Sequence, residues 1–399
     1  MTRRLLLCPF VLLFATLAPS AANAGAPLAV GERLSLPSKV LGEERPLFVS
    51  VPDSYARTSR RYPVIYLTDA EVHFDHTRAT AAFLARNGFM PEVIVVGVTN
   101  TDRTRDLSPS RDPKFPTSGG ADRFLDFFEK ELVPFVESRY RVAPFRIFAG
   151  WSAGGNFAFH AMRVRPDLFQ AVIAVSPWLV WDERKELALL TPFLAGGGVK
   201  TRALFFASGD DGDAMRDVLG QVSSALKATT SKSLRWGSAN YQDENHGSVV
   251  LPSHYAALRM IFDGWSLPVD PETERIVGTL DEVKTRYAGL SDRLGITVTA
   301  PEVSVNRLGY QALAEKNLPA ALAFFRYNAE TYPDSANVYD SLGDALEESG
   351  TLEEALASFT KAAALGEKSA DPNTKLFKAH ADRVRVRLAA QAAPTPAPR

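Results

Sequence analysis

The chain has 399 residues, of which 46% are hydrophobic and 23% are charged, and its formal net charge at pH 7 is -1. This length is sufficient for two domains, and the composition is ordinary for a globular protein. With a net charge near zero, the composition gives no sign of the basic field that is typical of nucleic-acid-binding proteins. We therefore expect a globular protein with no nucleic-acid partner.

The first 24 residues have the features of a secretory signal peptide. Two arginines precede an apolar run from Leu5 to Leu17, and Ala22-Asn23-Ala24 forms an Ala-x-Ala cleavage site. The run is too short to span a bilayer comfortably, so we expect no membrane anchor. The only cysteine, Cys8, lies in this segment, which leaves the mature chain without thiol chemistry. The sequence predicts a periplasmic or secreted protein that is cleaved after Ala24.

Residues 25–266 alternate between short apolar runs and helical patterns. Strands are expected within residues 34–52, 62–67, 93–98, 145–149, 171–175, 203–207 and 234–241, and helices at 80–87, 120–139, after 153 and at 215–228. This alternation predicts an α/β domain with a mostly parallel sheet and helices on both faces. Such a sheet binds its ligands at the carboxyl ends of the strands.

The pattern Gly-x-Ser-x-Gly occurs at Gly150-Trp151-Ser152-Ala153-Gly154. An apolar run from Phe145 to Ala149 enters it and a helical pattern leaves it. A strand, turn and helix around this pattern form the nucleophile elbow of the α/β-hydrolase fold. The alternative is a glycine-rich turn without chemistry, which the flanking patterns disfavour. We predict an α/β-hydrolase fold with Ser152 as the nucleophile.

A serine nucleophile needs a base and an acid that orients the base, and in this fold the chain order is Ser, acid, His. His246 follows the last predicted strand and precedes a helix, which is the position of the base. The loop after residues 203–207 contains three aspartates, of which we favour Asp211. Asp210 is the next candidate and Asp213 the third. Asp243 and Glu244 also lie near His246 in the sequence and could support it locally, and some enzymes work with a Ser-His pair alone.

The other histidines receive no catalytic role. His73 and His76 share a predicted loop at a spacing that metal sites use, but a clear third ligand is missing. His160 is predicted to pack behind the nucleophile, and His254 and His380 lie on helices away from the expected site. Because serine, histidine and acid suffice for this chemistry, no metal or cofactor is expected.

The oxyanion formed on attack needs two backbone N–H donors. We expect one from Ala153, directly after the nucleophile, and the other from Ala70, in the loop after residues 62–67. Trp151 and Trp178 are predicted to line the substrate pocket.

Two further groups near the site have alternative interpretations. Trp181 either lines the same pocket as Trp178 or packs in the core under a lid. Arg103, Arg105 and Asp106 follow the strand at 93–98, where an internal ion pair that holds the loop is favoured over binding of a substrate carboxylate.

The C-terminal part of the chain predicts a small all-α domain. Residues 267–302 have a helical pattern from Pro268 to Leu294 and are interpreted as a linker. Beyond them Leu308-Gly309 recurs as Leu342-Gly343, and Phe325 recurs as Phe359. The offset of 34 residues is the period of the tetratricopeptide helix pair. We predict tetratricopeptide-like repeats over residues 303–388, ending in a capping helix at 374–388, and a disordered Ala- and Pro-rich tail at 389–399.

Taken together, these segments resemble the esterase D-like family of α/β-hydrolases. The resemblance covers residues 34–265 and rests on the elbow and on six further stretches: 62–69, 103–109, 118–121, 140–142, 176–178 and 246–249. Within the family the chain most resembles the siderophore-esterase-like branch, because of the sequence His246-Gly247-Ser248-Val249. Two features differ from the family pattern: Trp151 stands where many members have histidine, and the acid loop reads Asp-Asp-Gly-Asp.

The sequence therefore predicts an exported serine hydrolase that cleaves carboxylic esters of small molecules through an acyl-enzyme. Transfer of the acyl group to another alcohol would use the same residues. A different alternative is a non-catalytic binding protein whose repeats bind a protein partner. In a third interpretation the repeats only cover an apolar flank of the hydrolase.

Overall fold

The structure is a computed structural model that describes residues 29–392. The predicted signal peptide and residues 393–399 of the predicted tail lie outside the described residues. Eight strands are present: β1 (Glu32–Ser38), β2 (Glu43–Ser50), β3 (Tyr62–Leu67), β4 (Ile94–Val98), β5 (Val142–Trp151), β6 (Ala171–Val175), β7 (Ala203–Ser208) and β8 (Arg235–Asn240).

All eight strands belong to a sheet with the order β1-β2-β4-β3-β5-β6-β7-β8. The pairs β1–β2 and β2–β4 are antiparallel, and all the following pairs are parallel. The predicted α/β-hydrolase architecture is therefore confirmed. Because β5, β6 and β7 are parallel neighbours, the segments that follow them meet at the same edge of the sheet.

In the part of the chain that the structure describes, nine α-helices accompany the sheet: α1 (Ala70–Arg86), α2 (Arg103–Leu107), α3 (Ala121–Phe127), α4 (Val133–Arg139), α5 (Ala153–Val164), α6 (Lys185–Ala195), α7 (Asp213–Lys227), α8 (Val250–Ile261) and α9 (Leu280–Leu294). Five more follow: α10 (Glu302–Ala314), α11 (Leu318–Thr331), α12 (Ala336–Glu348), α13 (Leu352–Ser369) and α14 (Thr374–Ala392).

Several helices differ from the predicted ranges. Helix α1 begins ten residues before the predicted start, because its buried face includes polar side chains such as His73 and Thr77, which weaken the apolar periodicity. The helix predicted at 120–139 contains a π-helical turn at Phe128–Leu132 between α3 and α4. Pro134 follows this turn and cannot donate a backbone hydrogen bond, which accounts for the wider turn.

The linker helix, α9, begins at Leu280 rather than Pro268. Thr279 and Glu282 form a reciprocal capping box, in which the Thr279 hydroxyl accepts from the Glu282 N–H at 3.3 Å and the Glu282 carboxylate accepts from the Thr279 N–H at 2.7 Å. This cap fixes the first turn of the helix. Pro268 and Pro271 precede it, and both rings disfavour helix in the residue before them.

The sheet is buried on both faces. Along β3, Tyr62, Val64 and Tyr66 face one apolar core, with α3, α5, α6 and α7. Ile65 and Leu67 face the other, with α1, α8 and α9. Burial on both sides explains why the central strands read as continuous apolar runs rather than alternating ones.

The C-terminal helices pack against the second face. Val305 and Leu308 of α10 and Phe324 of α11 are buried in the same core as the sheet. The repeat seen in the sequence has a packing counterpart: a Cβ at Gly309 would lie 2.5 Å from the Phe325 ring, and a Cβ at Gly343 would lie 2.6 Å from the Phe359 ring. Helix α14 continues to Ala392, beyond the predicted start of the tail. In residues 29–392 no helix is both long and apolar enough to cross a membrane.

Candidate functional site

The structure places Ser152 at a sharp turn between β5 and α5. Its backbone has φ 57° and ψ -116°, a conformation that is unfavourable for a residue with a Cβ. The Ser152 N–H donates to the Val175 carbonyl at 2.9 Å, and the Ser152 carbonyl accepts from the Trp178 N–H at 2.9 Å. These bonds to the end of β6 hold the serine in the strained conformation.

The glycines of the motif are required by close contacts. A Cβ at Gly150 would lie 2.0 Å from the Gly154 carbonyl oxygen, and a Cβ at Gly154 would lie 2.5 Å from the Thr68 hydroxyl. A side chain at Gly150 would open the elbow itself, and a side chain at Gly154 would push the elbow away from the β3–α1 connection. The sequence Gly-x-Ser-x-Gly therefore forms the predicted strand–turn–helix elbow.

The structure brings His246 and Asp211 together, although they lie 35 residues apart in the sequence. His246 Nδ1 is 2.6 Å from Asp211 Oδ1. The Asp211 side chain is only 4% exposed, whereas the His246 side chain is 45% exposed. Asp211 Oδ2 also accepts from the Ser176 hydroxyl at 2.5 Å and from the Gly209 N–H at 3.2 Å. The buried carboxylate is thus held by three donors and oriented towards the histidine.

The competing carboxylates lie elsewhere. Asp210 and Asp213 both pair with Arg216, and their side chains are 71% and 97% exposed. Glu244 accepts from the Ser248 hydroxyl. Among the described residues, neither Asp243 nor Glu244 bonds to the His246 side chain.

Trp151 lies between the elbow and the histidine. Its indole Nε1 donates to the His246 carbonyl at 2.6 Å, and its ring centroid is 5.0 Å from that of His246. Trp151 therefore supports the His246 loop. Its predicted contact with substrate stays a prediction. The same holds for Trp178, which is 36% exposed and whose backbone N–H donates to the Ser152 carbonyl. Trp181 is buried and donates to the Ser110 carbonyl, which favours the core alternative.

The two predicted oxyanion residues each begin a helix. Ala153 is the first residue of α5 and Ala70 is the first residue of α1, so their N–H groups have no carbonyl partner within the helix. Both residues are buried. The contact between Gly154 and Thr68 shows that the two helix starts lie against each other. Their role as donors to an oxyanion stays a prediction.

The expectation that His73 and His76 share a loop is wrong, because both lie on α1. His73 Nδ1 is 3.0 Å from His76 Nε2, and the His76 ring lies 5.6 Å from that of His254 on α8. The His73 ring also meets the Trp151 ring edge to face at 5.1 Å. His254, for which the sequence predicted no catalytic role, belongs to this buried histidine cluster.

Burial sets the protonation state of the histidine cluster. Loss of hydration lowers the pKa of His73 to about 4, and the neighbouring His76 adds to this effect. Burial also lowers the pKa of His76, and it lowers the pKa of His254 well below its usual value. All three imidazoles are therefore neutral at pH 7. Within residues 29–392 no group of three or more His, Cys, Asp or Glu side chains is arranged to hold a metal ion.

The ion pairs expected after the strand at 93–98 are present. Arg103 pairs with Asp69, and Arg105 pairs with Asp106 and Glu43. His160 is buried, as predicted for a packing residue, and contacts Glu186.

Sequence reasoning did not identify Ser176 as a partner of Asp211. The only signal was its place directly after β6, in the segment Ser176-Pro177-Trp178. Ser176 has φ 42°, an uncommon conformation for a non-glycine residue. Its hydroxyl reaches the neighbouring loop only because β6 and β7 are adjacent.

A mostly parallel sheet with a serine on a strand–helix elbow, followed along the chain by a buried carboxylate and then a histidine that contacts it, defines the α/β-hydrolase class. Residues 38–247 match the model of the family described as "Putative esterase". This match covers more than half of the chain, and the protein belongs to this family.

Individual relatives have related descriptions. The ferri-bacillibactin esterase BesA of Bacillus subtilis is 33% identical over 34% of this chain and 54% of its own length. The siderophore enterobactin esterase of Emericella nidulans is 32% identical over 35% of this chain and 54% of its own length. The chain thus spans about half the length of these curated relatives.

A solved structure is similar over a larger part of the chain. The crystal structure of an IroE-like serine hydrolase from Shewanella oneidensis covers 75% of this chain and 99% of its own, with 28% identity and a TM-score of 0.68.

Proposed function

We propose that the protein is a serine hydrolase that cleaves carboxylic esters, with Ser152, His246 and Asp211 as its triad. The observation that carries this proposal is the 2.6 Å contact between His246 and the buried Asp211, on the edge of the sheet where the Ser152 elbow lies. Membership of the esterase family supports the reaction class.

The contacts of His246 indicate how the proton moves. Because Nδ1 donates to Asp211, Nε2 is the unprotonated nitrogen that accepts the proton of the Ser152 hydroxyl. The serine oxygen attacks the ester carbonyl, and the N–H groups of Ala70 and Ala153 stabilise the oxyanion. His246 then donates the proton to the leaving alcohol. Water releases the acid from the acyl-enzyme and restores the serine hydroxyl.

The relatives suggest a substrate class. Two of them are described as esterases of the siderophores bacillibactin and enterobactin. We infer that this protein acts on the ester bonds of a siderophore. The exposed indole of Trp178, whose backbone N–H bonds to the Ser152 carbonyl, would provide an apolar wall for the acyl group.

Export and the role of the C-terminal helices are also part of the proposal. The predicted signal at residues 1–24 supports action in the periplasm or outside the cell. The 34-residue offset and the matching contacts of Gly309 with Phe325 and of Gly343 with Phe359 support tetratricopeptide-like repeats. Burial of Leu308 and Phe324 in the core of the hydrolase favours a structural role for these repeats over a separate binding function.

Labelling with a fluorophosphonate, read by peptide mass spectrometry, tests the triad. We expect an adduct on Ser152 in the wild type and none in Ser152→Ala. Hydrolysis of p-nitrophenyl butyrate should fall by roughly 10⁴-fold or more in Ser152→Ala and His246→Ala.

His380→Ala is the matched control, because His380 Nδ1 also contacts a carboxylate, that of Asp340, at 2.9 Å, but on the C-terminal helices. This variant should keep wild-type activity. A folded wild type without a Ser152 adduct would refute the proposed triad. The substrate class is tested separately by following enterobactin and bacillibactin, with and without Fe(III), by liquid chromatography and mass spectrometry.

A further inference from the structure

The two amides proposed for the oxyanion hole belong to different segments of the chain. Ala70 follows β3, whereas Ala153 follows β5. Preorganised donors stabilise a transition state only when they are held at the position where the charge develops. Some contact must therefore fix the distance between the two segments.

Asp69, directly before Ala70, is unusual in two respects. It is buried and has φ 54°, in the left-handed region that disfavours residues with a Cβ. It also occupies the N-cap of α1, where an aspartate normally accepts from the first N–H groups of the helix. The Asp69 side chain makes no such bond.

Instead, the Asp69 carboxylate is bound by side chains that follow β4. Arg103 Nε donates to Oδ1 at 2.6 Å and Arg103 Nη2 donates to Oδ2 at 3.1 Å, which is a bidentate ion pair. Asn100 Nδ2 donates to Oδ1 at 2.7 Å. These three bonds hold Asp69 in the unfavourable conformation from which the Ala70 N–H projects.

The same guanidinium reaches the nucleophile elbow. Arg103 Nη2 donates to the Trp151 carbonyl at 3.3 Å, and Arg103 Cζ lies 5.4 Å from the centre of the Trp151 ring. The Trp151 carbonyl belongs to the peptide bond that enters Ser152. The Arg103 side chain therefore contacts Asp69, directly before Ala70, and also Trp151, directly before Ser152.

The element that presents Arg103 is itself anchored. The Asp102 carboxylate caps α2 by accepting from the Arg105 N–H at 2.9 Å. Arg105 donates to Asp106 at 2.7 Å and to Glu43 of β2 at 2.8 Å. The buried Arg45 of β2 also pairs with Asp106. This network fixes α2 to the sheet, so Arg103 is held by a rigid element.

We propose that Arg103 is a positioning residue that joins the β3–α1 connection to the elbow and sets the distance between the two oxyanion donors. The inference rests on the proposed function. A planar guanidinium can bind a carboxylate with two N–H groups and still reach a carbonyl, whereas a lysine ammonium cannot reproduce this fork.

Replacing Arg103 with lysine tests the inference. In Arg103→Lys we expect kcat for p-nitrophenyl butyrate to fall by roughly 10- to 100-fold with little change in KM, because the displaced donors act only on the transition state. Affinity for a trifluoromethyl ketone, whose adduct places an oxyanion in the same hole, should fall in parallel with kcat/KM. Methylguanidinium should restore part of the activity of Arg103→Ala.

The matched control is Arg163→Lys. Arg163 Nε and Nη2 each donate to Glu186 at 2.8 Å, so this variant removes an equivalent bidentate pair at the far end of α5. It should keep the wild-type kcat. Asp69→Asn is a second test that leaves Arg103 in place and retains a side chain that tolerates positive φ; it should reproduce the loss of kcat.

The outcomes separate this inference from the proposed function. If Arg103→Lys and Asp69→Asn keep wild-type kcat and inhibitor affinity while Ser152→Ala is inactive, the positioning role is wrong and the triad stands. The positioning role would also be wrong if Arg103→Lys and Arg163→Lys lost activity to the same extent and this loss matched the decrease in the amount of folded protein. A folded wild type that fluorophosphonate does not label refutes the triad itself.

Discussion

At the scale of single residues, the site depends on how one buried carboxylate is satisfied. Asp211 has donors from three different segments: His246 Nδ1, the Ser176 hydroxyl and the Gly209 N–H. A buried carboxylate without such bonds would be strongly destabilised. Its three bonds fix both its position and the direction in which it orients the histidine.

Ser176→Ala removes one of these donors and leaves all three members of the proposed triad unchanged. We expect kcat/KM for p-nitrophenyl butyrate to fall roughly 10-fold, because a hydrogen bond to a charged group contributes about 1.5–3 kcal/mol. Ser253→Ala is the matched control, since Ser253 is also buried and donates to the Val249 carbonyl on α8. Equal activity in the two variants would show that Asp211 does not depend on Ser176.

The histidine cluster gives the fold a dependence on pH. The pKa of His73 is about 4 in the folded protein and near 6.5 when unfolded, so between these values the unfolded state binds more protons. Stability therefore falls as the pH decreases from about 6.5 towards 4, by at most about 1.4 kcal/mol per pH unit for this histidine. His76 and His254 act in the same direction.

Urea unfolding at pH 7.5 and pH 5.5 measures this effect. His73→Phe keeps an aromatic ring against Trp151 but cannot bind a proton, so its stability should decrease less between the two pH values than that of the wild type. Titrating groups outside the cluster are common to both proteins and cancel in the comparison. Loss of His73 also removes one cause of the lowered pKa of His254, which reduces the pH dependence in the same direction. Equal decreases would mean that the pKa of His73 is not lowered in the folded state.

At the scale of elements, replacing a helical glycine with alanine should have opposite effects on stability at two positions, Gly343 and Gly289. A Cβ at Gly343 in α12 would lie 2.6 Å from the Phe359 ring, and overpacking of this kind costs about 1–3 kcal/mol. A Cβ at Gly289 in α9 would meet nothing within 4 Å. Gly289→Ala should therefore stabilise the protein by about 0.5–1 kcal/mol, since alanine favours helix.

Urea unfolding midpoints of the two variants test this prediction. Gly343→Ala should shift the midpoint down and Gly289→Ala should shift it up. A stable Gly343→Ala protein would contradict the close contact between α12 and α13, and with it the structural basis of the 34-residue repeat.

At the scale of the whole molecule, the described residues from Gly31 to Ala392 belong to one compact unit. Leu308 and Phe324 complete an apolar core that begins with strands of the sheet. By contrast, buried residues of α14 such as Phe377 and Val384 belong to apolar clusters formed with other C-terminal helices. The first repeat and the last helix should therefore differ in their importance for the hydrolase.

Two truncations test this difference. Deletion from Asn306 onward removes Leu308 and Phe324, and loss of large core side chains costs about 2–5 kcal/mol each, so we expect aggregated or strongly destabilised protein. Deletion from Thr374 onward removes α14 alone and should leave a soluble protein with near wild-type kcat. Soluble, fully active protein after the longer deletion would favour a separate binding function for the repeats.

The sequence by itself determined the features that depend on local patterns. The apolar runs and the alternation of strands with helices predicted the sheet, because burial on both faces imposes continuous apolar strands. Gly150, Ser152 and Gly154 predicted the elbow, because a turn this tight excludes side chains on both sides. The offset between Gly309 and Gly343 predicted the two helix pairs, because each glycine leaves room for a phenylalanine ring of the next helix.

Only the tertiary structure decided which distant side chains meet. The local sequence does not distinguish Asp211 from Asp210 and Asp213, since all three follow β7 within a few residues. The order of β6, β7 and β8 in the sheet brings Asp211 to His246. His254 joins α1 through a contact with Thr77 across 177 residues, and Arg103 reaches the Trp151 carbonyl across 48. The hydrophobic periodicity of the sequence does not predict such contacts. They form only when separate elements pack together and buried polar groups pair with one another.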